Sequence, residues 1–156
     1  FSKNVLEATY YILKSILYKN NVSSIPPMTK DEFWNWNLEV KATHWYSRYK
    51  YPLELIDKLK ELDTFSLDNK IKLTFIIVPH NQEFHDRLID YGLAENEKNF
   101  KSMMSQLNAD VIDYDYKNEI TSSKENFDDP IHYNSAIASI IINEIWSGKY
   151  IIGKKL

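Results

Sequence analysis

Ile71-Lys72-Leu73-Thr74-Phe75-Ile76-Ile77-Val78 is a run of β-branched and apolar residues closed by Pro79, and its reading decides the fold. The run is too short for an amphipathic helix and lacks polar alternation at its end. It therefore predicts a strand buried on both faces. Working outward, Asn81 can cap a helix that runs through Tyr91 and stops at Gly92. A further helix fits Glu95 to Leu107, and Ala109 to Tyr114 predicts a second short strand. Residues 115–128 are polar and read as loop. The turn Asp129-Pro130-Ile131-His132 follows, then an apolar helical run, Asn134 to Trp146, that ends at Gly148. The tail Lys149–Leu156 fits either a short strand or a loose end.

The order helix, strand, helix, strand, helix is the sign of an α/β fold with a parallel sheet. Two parallel strands alone are a poor independent unit, because both faces and both edges need cover. The pattern therefore reads as the second half of a doubly wound sheet. Upstream, Val5, Leu6, Ile12, Leu13, Ile16 and Leu17 recur at helical spacing behind Ser2, predicting a helix over about residues 3–19. Ser23 to Pro27 breaks it. Thr29-Lys30-Asp31-Glu32 has the form of a capping box opening a short helix. Pro52 suits the first turn of another, whose apolar face would be Leu53, Ile56, Leu59 and Leu62. Residues 21–51 between these signals read as an aromatic-rich insertion in a single, partial α/β domain spanning 1–156.

Composition sets the outer limits. At 156 residues, 44% hydrophobic and 26% charged, the chain is long enough for one domain with a core. A net charge of −3 gives no general drive toward nucleic acid. The absence of cysteine excludes disulfides, thiolate metal ligands and a thiol nucleophile. No stretch reaches the ~18 apolar residues of a spanning helix. The chain opens on Phe1 without a recognisable signal peptide and is expected to be a fragment or processed product.

The chemistry concentrates at Asp129-Pro130-Ile131-His132. An Asp three residues before a His, on a turn stiffened by proline, can set both side chains on one side. The carboxylate can then hold Nδ1–H of the imidazole and leave Nε2 free to take a proton from a nucleophile. The alternatives are a purely structural turn, or Asp128 as the acid, with Asp128 otherwise a solvated loop charge. His80 follows the predicted strand and can line a substrate crevice or serve as polar surface at the helix start. His85 reads as an exposed helical residue. The spacing of His80 and His85 puts them on different faces, unlike an i, i+4 zinc pair, and no metal site or cofactor is expected. Asp113 and Asp115 could suggest a magnesium site but read better as solvated carboxylates. Phe33, Trp34, Trp36, Trp45, Tyr46, Tyr49 and Tyr51 either pack an irregular insertion or offer an interaction surface.

Lys72–Pro79, the helical stretch to Leu107, Ala109–Asp113 and Asp128–His132 together resemble the C-terminal half of the SGNH/GDSL-type esterase and acyltransferase superfamily. Among its branches the chain is most similar to bacterial proteins that modify cell-envelope polymers, such as the family involved in D-alanylation of teichoic acids. The resemblance implies a three-layer, flavodoxin-like αβα fold with Asp129 as orienting acid and His132 as general base. It also implies acyl esters of an envelope polysaccharide or polymer as substrates, and an extracytoplasmic or membrane-associated setting in the bacterial envelope. The superfamily's Gly-Asp-Ser block and its oxyanion Gly and Asn are not in this chain. The nucleophilic serine is accordingly expected from an upstream half of the same protein or from a partner chain. A reading of a different class is a non-catalytic binding or scaffolding module with a degenerate fold of this type.

Overall fold

The computed structural model describes residues 28–156. The helix predicted over 3–19, with its Ser2 cap and the break at Ser23–Pro27, lies outside the described residues. Helix α1 (Lys30–Trp36) begins at the expected capping box. Thr29 Oγ1 accepts from the Glu32 N–H, and Glu32 accepts from the Thr29 N–H in return. The helix does not end there. It runs through a π turn (Asn37–Lys41) into α2 (Ala42–Tyr46). Residues 30–46 are thus helical, not irregular. Trp34, Leu38 and Ala42 enter the core cluster with Phe84, Ile112, Tyr114, Phe127, Ile137 and Ile141.

Helix α3 (Leu53–Asp68) corrects the expected apolar face. Of Leu53, Ile56, Leu59 and Leu62, only Ile56 is buried, while Leu53 is 66% exposed. The helix is turned so that Asp63 faces inward. Its carboxylate accepts from the backbone N–H of Asn108 at 2.9 Å and of Ala109 at 2.7 Å, the residues that lead into the strand Asp110–Asp113. A buried acceptor with three partners, the Asn108 side chain included, fixes the rotation of the helix.

Strand β1 (Thr74–Ile77) and strand β2 (Asp110–Asp113) pair in parallel, in the register Thr74↔Asp110 to Ile77↔Asp113. Between them lie α4 (Gln82–Asp90), capped by Asn81 and ended near Gly92 at φ +72°, and α5 (Ala94–Met104). The predicted burial of β1 on both faces does not hold: Ile76 is exposed and its neighbours are half-buried. Among the described residues β1 is the terminal strand, so part of its surface lacks a described neighbour. Val111 and Ile112 in β2 are buried and carry the core.

After α6 (Ser135–Ser147), Gly148 takes a left-handed conformation and the chain returns as β3 (Lys154–Lys155), antiparallel to β2. Among the described residues the fold is therefore α/β with a mixed three-stranded sheet, not a purely parallel one. Glu144 explains the tail. Its buried carboxylate accepts backbone N–H groups of Ile151, Ile152 and Gly153 and the hydroxyl of Tyr114.

Candidate functional site

The C-terminal ends of β1 and β2 gather the candidate residues. Asn81, in the loop between β1 and α4, is buried. Its backbone N–H donates to the Pro130 carbonyl at 2.9 Å, and its side-chain amide donates to the Thr121 carbonyl. The turn carrying His132 is thus tied to the end of β1. The loop 126–134 closes on itself through Asp128 N–H to His132 O, Asn134 N–H to Asn126 O and an antiparallel bridge between Phe127 and Tyr133.

Within that loop Asp129 makes an Asx turn. One carboxylate oxygen, Oδ1, accepts the backbone N–H groups of Ile131 at 2.8 Å and His132 at 3.0 Å. Pro130 supplies the fixed φ that the turn needs and is itself buried. The other oxygen, Oδ2, lies 2.7 Å from Nδ1 of His132. Burial raises the Asp129 carboxyl, but the His132 ring and the two backbone donors outweigh it and hold the group below the usual carboxylate range. Asp129 is therefore ionised at neutral pH and held on both oxygens, whereas the His132 side chain is 64% exposed. Among the described residues no group hydrogen-bonds Nε2. Asp128 is exposed, as a solvated loop charge would be.

His80 forms a second pair of the same kind. Its Nδ1 lies 3.0 Å from Asp115 Oδ2, its backbone N–H donates to Asp115 Oδ1, and its ring stacks on Phe84. His80, Asp129 and His132 are thus gathered at the strand ends, while His85 is drawn into another set of contacts. His85 is half-buried rather than exposed, with Nε2 2.8 Å from Glu97. The hydrogen bond to Glu97 raises the imidazole's pKa, partly opposed by burial. Asp113 and Asp115 are not solvated carboxylates either. Asp113 accepts the Asp115 N–H and pairs with Lys101 at 3.0 Å, and Lys101 also reaches Glu97 at 2.9 Å. No group of three or more metal-ligating side chains occurs among the described residues.

Sequence reasoning missed Asn81 as a junction and Lys101 and Asp115 as supports. Asn81 carried only its capping signal. The contact of Asp115 with His80 spans 35 positions, and no local pattern announces it. The aromatic segment divides. Trp34 is buried and donates to Glu83, whereas Phe33 and Trp36 stack on each other at 6.1 Å and stay exposed. Comparison with family models, curated proteins and solved structures finds no match to this chain.

Proposed function

We propose that this chain is the C-terminal half of an SGNH-like serine esterase or O-acyltransferase acting on acyl esters of a cell-envelope polymer. The observation that carries the reading is the 2.7 Å contact between Asp129 Oδ2 and His132 Nδ1, with the carboxylate fixed by two backbone donors and the imidazole exposed. A carboxylate so placed selects the tautomer with the proton on Nδ1 and leaves the lone pair on Nε2. A serine supplied by an upstream half or a partner chain attacks the ester carbonyl. His132 Nε2 accepts the hydroxyl proton and then passes it to the departing alcohol, and Asp129 stabilises the imidazolium between the two transfers. In the second half, His132 takes a proton from water or an acceptor hydroxyl, which attacks the acyl-serine, and returns that proton to the serine oxygen as the acyl–serine bond breaks. Oxyanion donors come with the nucleophile. The parallel β1–β2 pair with the turn at its C-terminal end supports the flavodoxin-like arrangement this mechanism needs.

The test assays a small acyl ester with this chain alone and with a Gly-Asp-Ser-bearing half, in one chain or co-expressed. The expected result is no turnover alone, and serine-reagent-sensitive turnover in combination that falls by about 10³ or more in His132→Ala. Wild-type rates in that variant would remove His132 from the mechanism. The exposed, stacked Phe33–Trp36 pair favours a second reading, a binding module with the dyad as a structural turn. Absence of turnover in the combined protein selects it.

A further inference from the structure

Helix α6 has no charge on its exposed face. Its exposed positions hold serine, alanine and asparagine with Ile140, Ile142 and Trp146, and its one ionisable residue, Glu144, is buried. Helix α3, by contrast, exposes Glu54, Asp57, Lys58, Lys60 and Glu61 beside its leucines. A helix with one side in water normally carries charge on that side, and one that is apolar all round is normally covered. The tail enlarges the same surface. Trp146 is 85% exposed and Ile151 86%, and the two line one shallow depression with Ile140 and Lys149. Both side chains stand out from the protein, and large apolar groups gathered in this way mark a contact surface.

Charge indicates what covers it. Residues 145–156 contain Lys149, Lys154 and Lys155 and no acid, in a chain whose net charge is −3. Lys149 is exposed, and Lys154 stays exposed while lying over the Tyr116 ring. Lys155 pairs with Asp110 at the surface, and with that carboxylate counted the tail is still cationic. A second copy of this face would set lysines against lysines, which disfavours self-association. A protein groove would need pockets for two side chains that protrude singly. A lipid surface needs no such match: the indole sits at headgroup depth, Ile151 enters the acyl boundary, and the ammonium groups meet anionic headgroups. Among the described residues no helix is long and apolar enough to cross a membrane, so the contact is interfacial. We propose that the outer face of α6 and the tail at Trp146 and Ile151 rest on an anionic lipid surface. The proposal needs neither a nucleophile nor His132, so it stands apart from the acyl-transfer reading.

The experiment measures co-sedimentation of the 156-residue chain with vesicles of phosphatidylcholine containing phosphatidylglycerol, and with vesicles of phosphatidylcholine alone. Binding is expected on the anionic vesicles, about tenfold weaker or worse on the neutral ones, and reduced by salt. Tryptophan emission should shift to the blue on binding, and Trp146→Phe should remove that shift while keeping most of the binding. Trp146→Ser and Ile151→Ser should each weaken binding about tenfold, and Lys149→Glu should do the same on anionic vesicles alone. Leu55→Ser, at an exposed position of α3, should leave binding unchanged. No binding to either vesicle, equal binding to both, no response to Lys149→Glu, or an equal loss in Leu55→Ser would each overturn the proposal. Self-association that Trp146→Ser abolishes, without vesicle binding, would assign the face to a second copy instead. If a serine variant does not fold, Trp146→Phe and Lys149→Glu decide alone.

Discussion

The backbone N–H of Asn81 donates to the carbonyl of Pro130 at 2.9 Å, so the residue that caps α4 also holds the turn that presents His132. One buried residue thereby serves three elements: its side chain caps α4 and binds the Thr121 carbonyl, and its backbone N–H holds the turn of the candidate base. Truncating the side chain should loosen the first two and leave the backbone bond to Pro130 in place. Asn81→Ala loses the α4 cap and the bond to Thr121, a cost of about 2 kcal/mol or more from capping and buried hydrogen bonding combined. Chemical denaturation should show that loss, and amide exchange should rise first at Glu83 and around Thr121, the segments the side chain binds. Unchanged protection there would mean that the side chain holds neither segment.

Asp129 separates geometry from chemistry. In Asp129→Asn the amide oxygen can still accept from Ile131 and His132, so the Asx turn should survive. The amide nitrogen can then face Nδ1 and force the wrong tautomer. With the nucleophile-bearing half present, kcat should fall by about 10³ or more while thermal unfolding moves little. Asp129→Ala should lower both. A large stability loss in the Asn variant without a rate loss would leave Asp129 a turn residue and nothing more.

The parallel pairing of Ile71–Val78 with Ala109–Tyr114 was legible because β-branched runs bounded by proline and helical periodicity are local signals, and the structure pairs Thr74–Ile77 with Asp110–Asp113. The caps at Thr29, Asn81 and Gly148 were legible for the same reason. The inward faces of α3 and α6 were not, because each turns on a carboxylate that tertiary contact buries. Asp63 and Glu144 look like surface charges until the segments they bind, 108–109 and 151–153, fold back on them. The Asp129–His132 contact was readable at three residues' spacing. The His80–Asp115 contact was not, since only the sheet brings those residues together.

Glu144 is the strongest single test of the tail. Its carboxylate accepts three consecutive backbone N–H groups and the Tyr114 hydroxyl, and these bonds together outweigh its burial and lower its pKa. Glu144→Ala would strand four donors and open space beside Tyr114, at a cost of roughly 3 kcal/mol. Limited proteolysis should then cut within 149–156. A variant with wild-type stability and a protected tail would show that β3 is held by its pairing with β2 alone.

Gly153 lies where a side chain has no room. A Cβ there would meet Ile112 Cγ2 at 2.6 Å and Tyr114 Cζ at 2.7 Å, both on well-buried residues. Gly153→Ala should therefore destabilise by about 1–3 kcal/mol through overpacking, although alanine restricts the unfolded chain more than glycine does. An increase in Tm would mean that the tail can move away from the sheet at little cost.

The His85–Glu97 pair gives a pH signature with a defined sign. Burial raises the Glu97 carboxyl, but hydrogen bonds and charge from His85 and Lys101 prevail, taking it from its ordinary 4.5 to about 2. A depressed carboxylate contributes stability that is complete above 4.5 and is lost as pH falls toward 2. His85 is raised above its ordinary 6.5 chiefly by the Glu97 bond, with burial and Lys101 opposing and Asp115 assisting. A raised imidazole contributes stability that is complete below 6.5 and is lost as pH climbs through the folded value. Both contributions are complete only between 4.5 and 6.5. Thermal unfolding of wild type and Glu97→Gln across pH 2–9 should give a difference in Tm that is largest in that window and shrinks at both ends. The acid side should shrink further, because Lys101 still pairs with Glu97 after His85 has lost its proton. A difference independent of pH would show that the pair does not couple to folding.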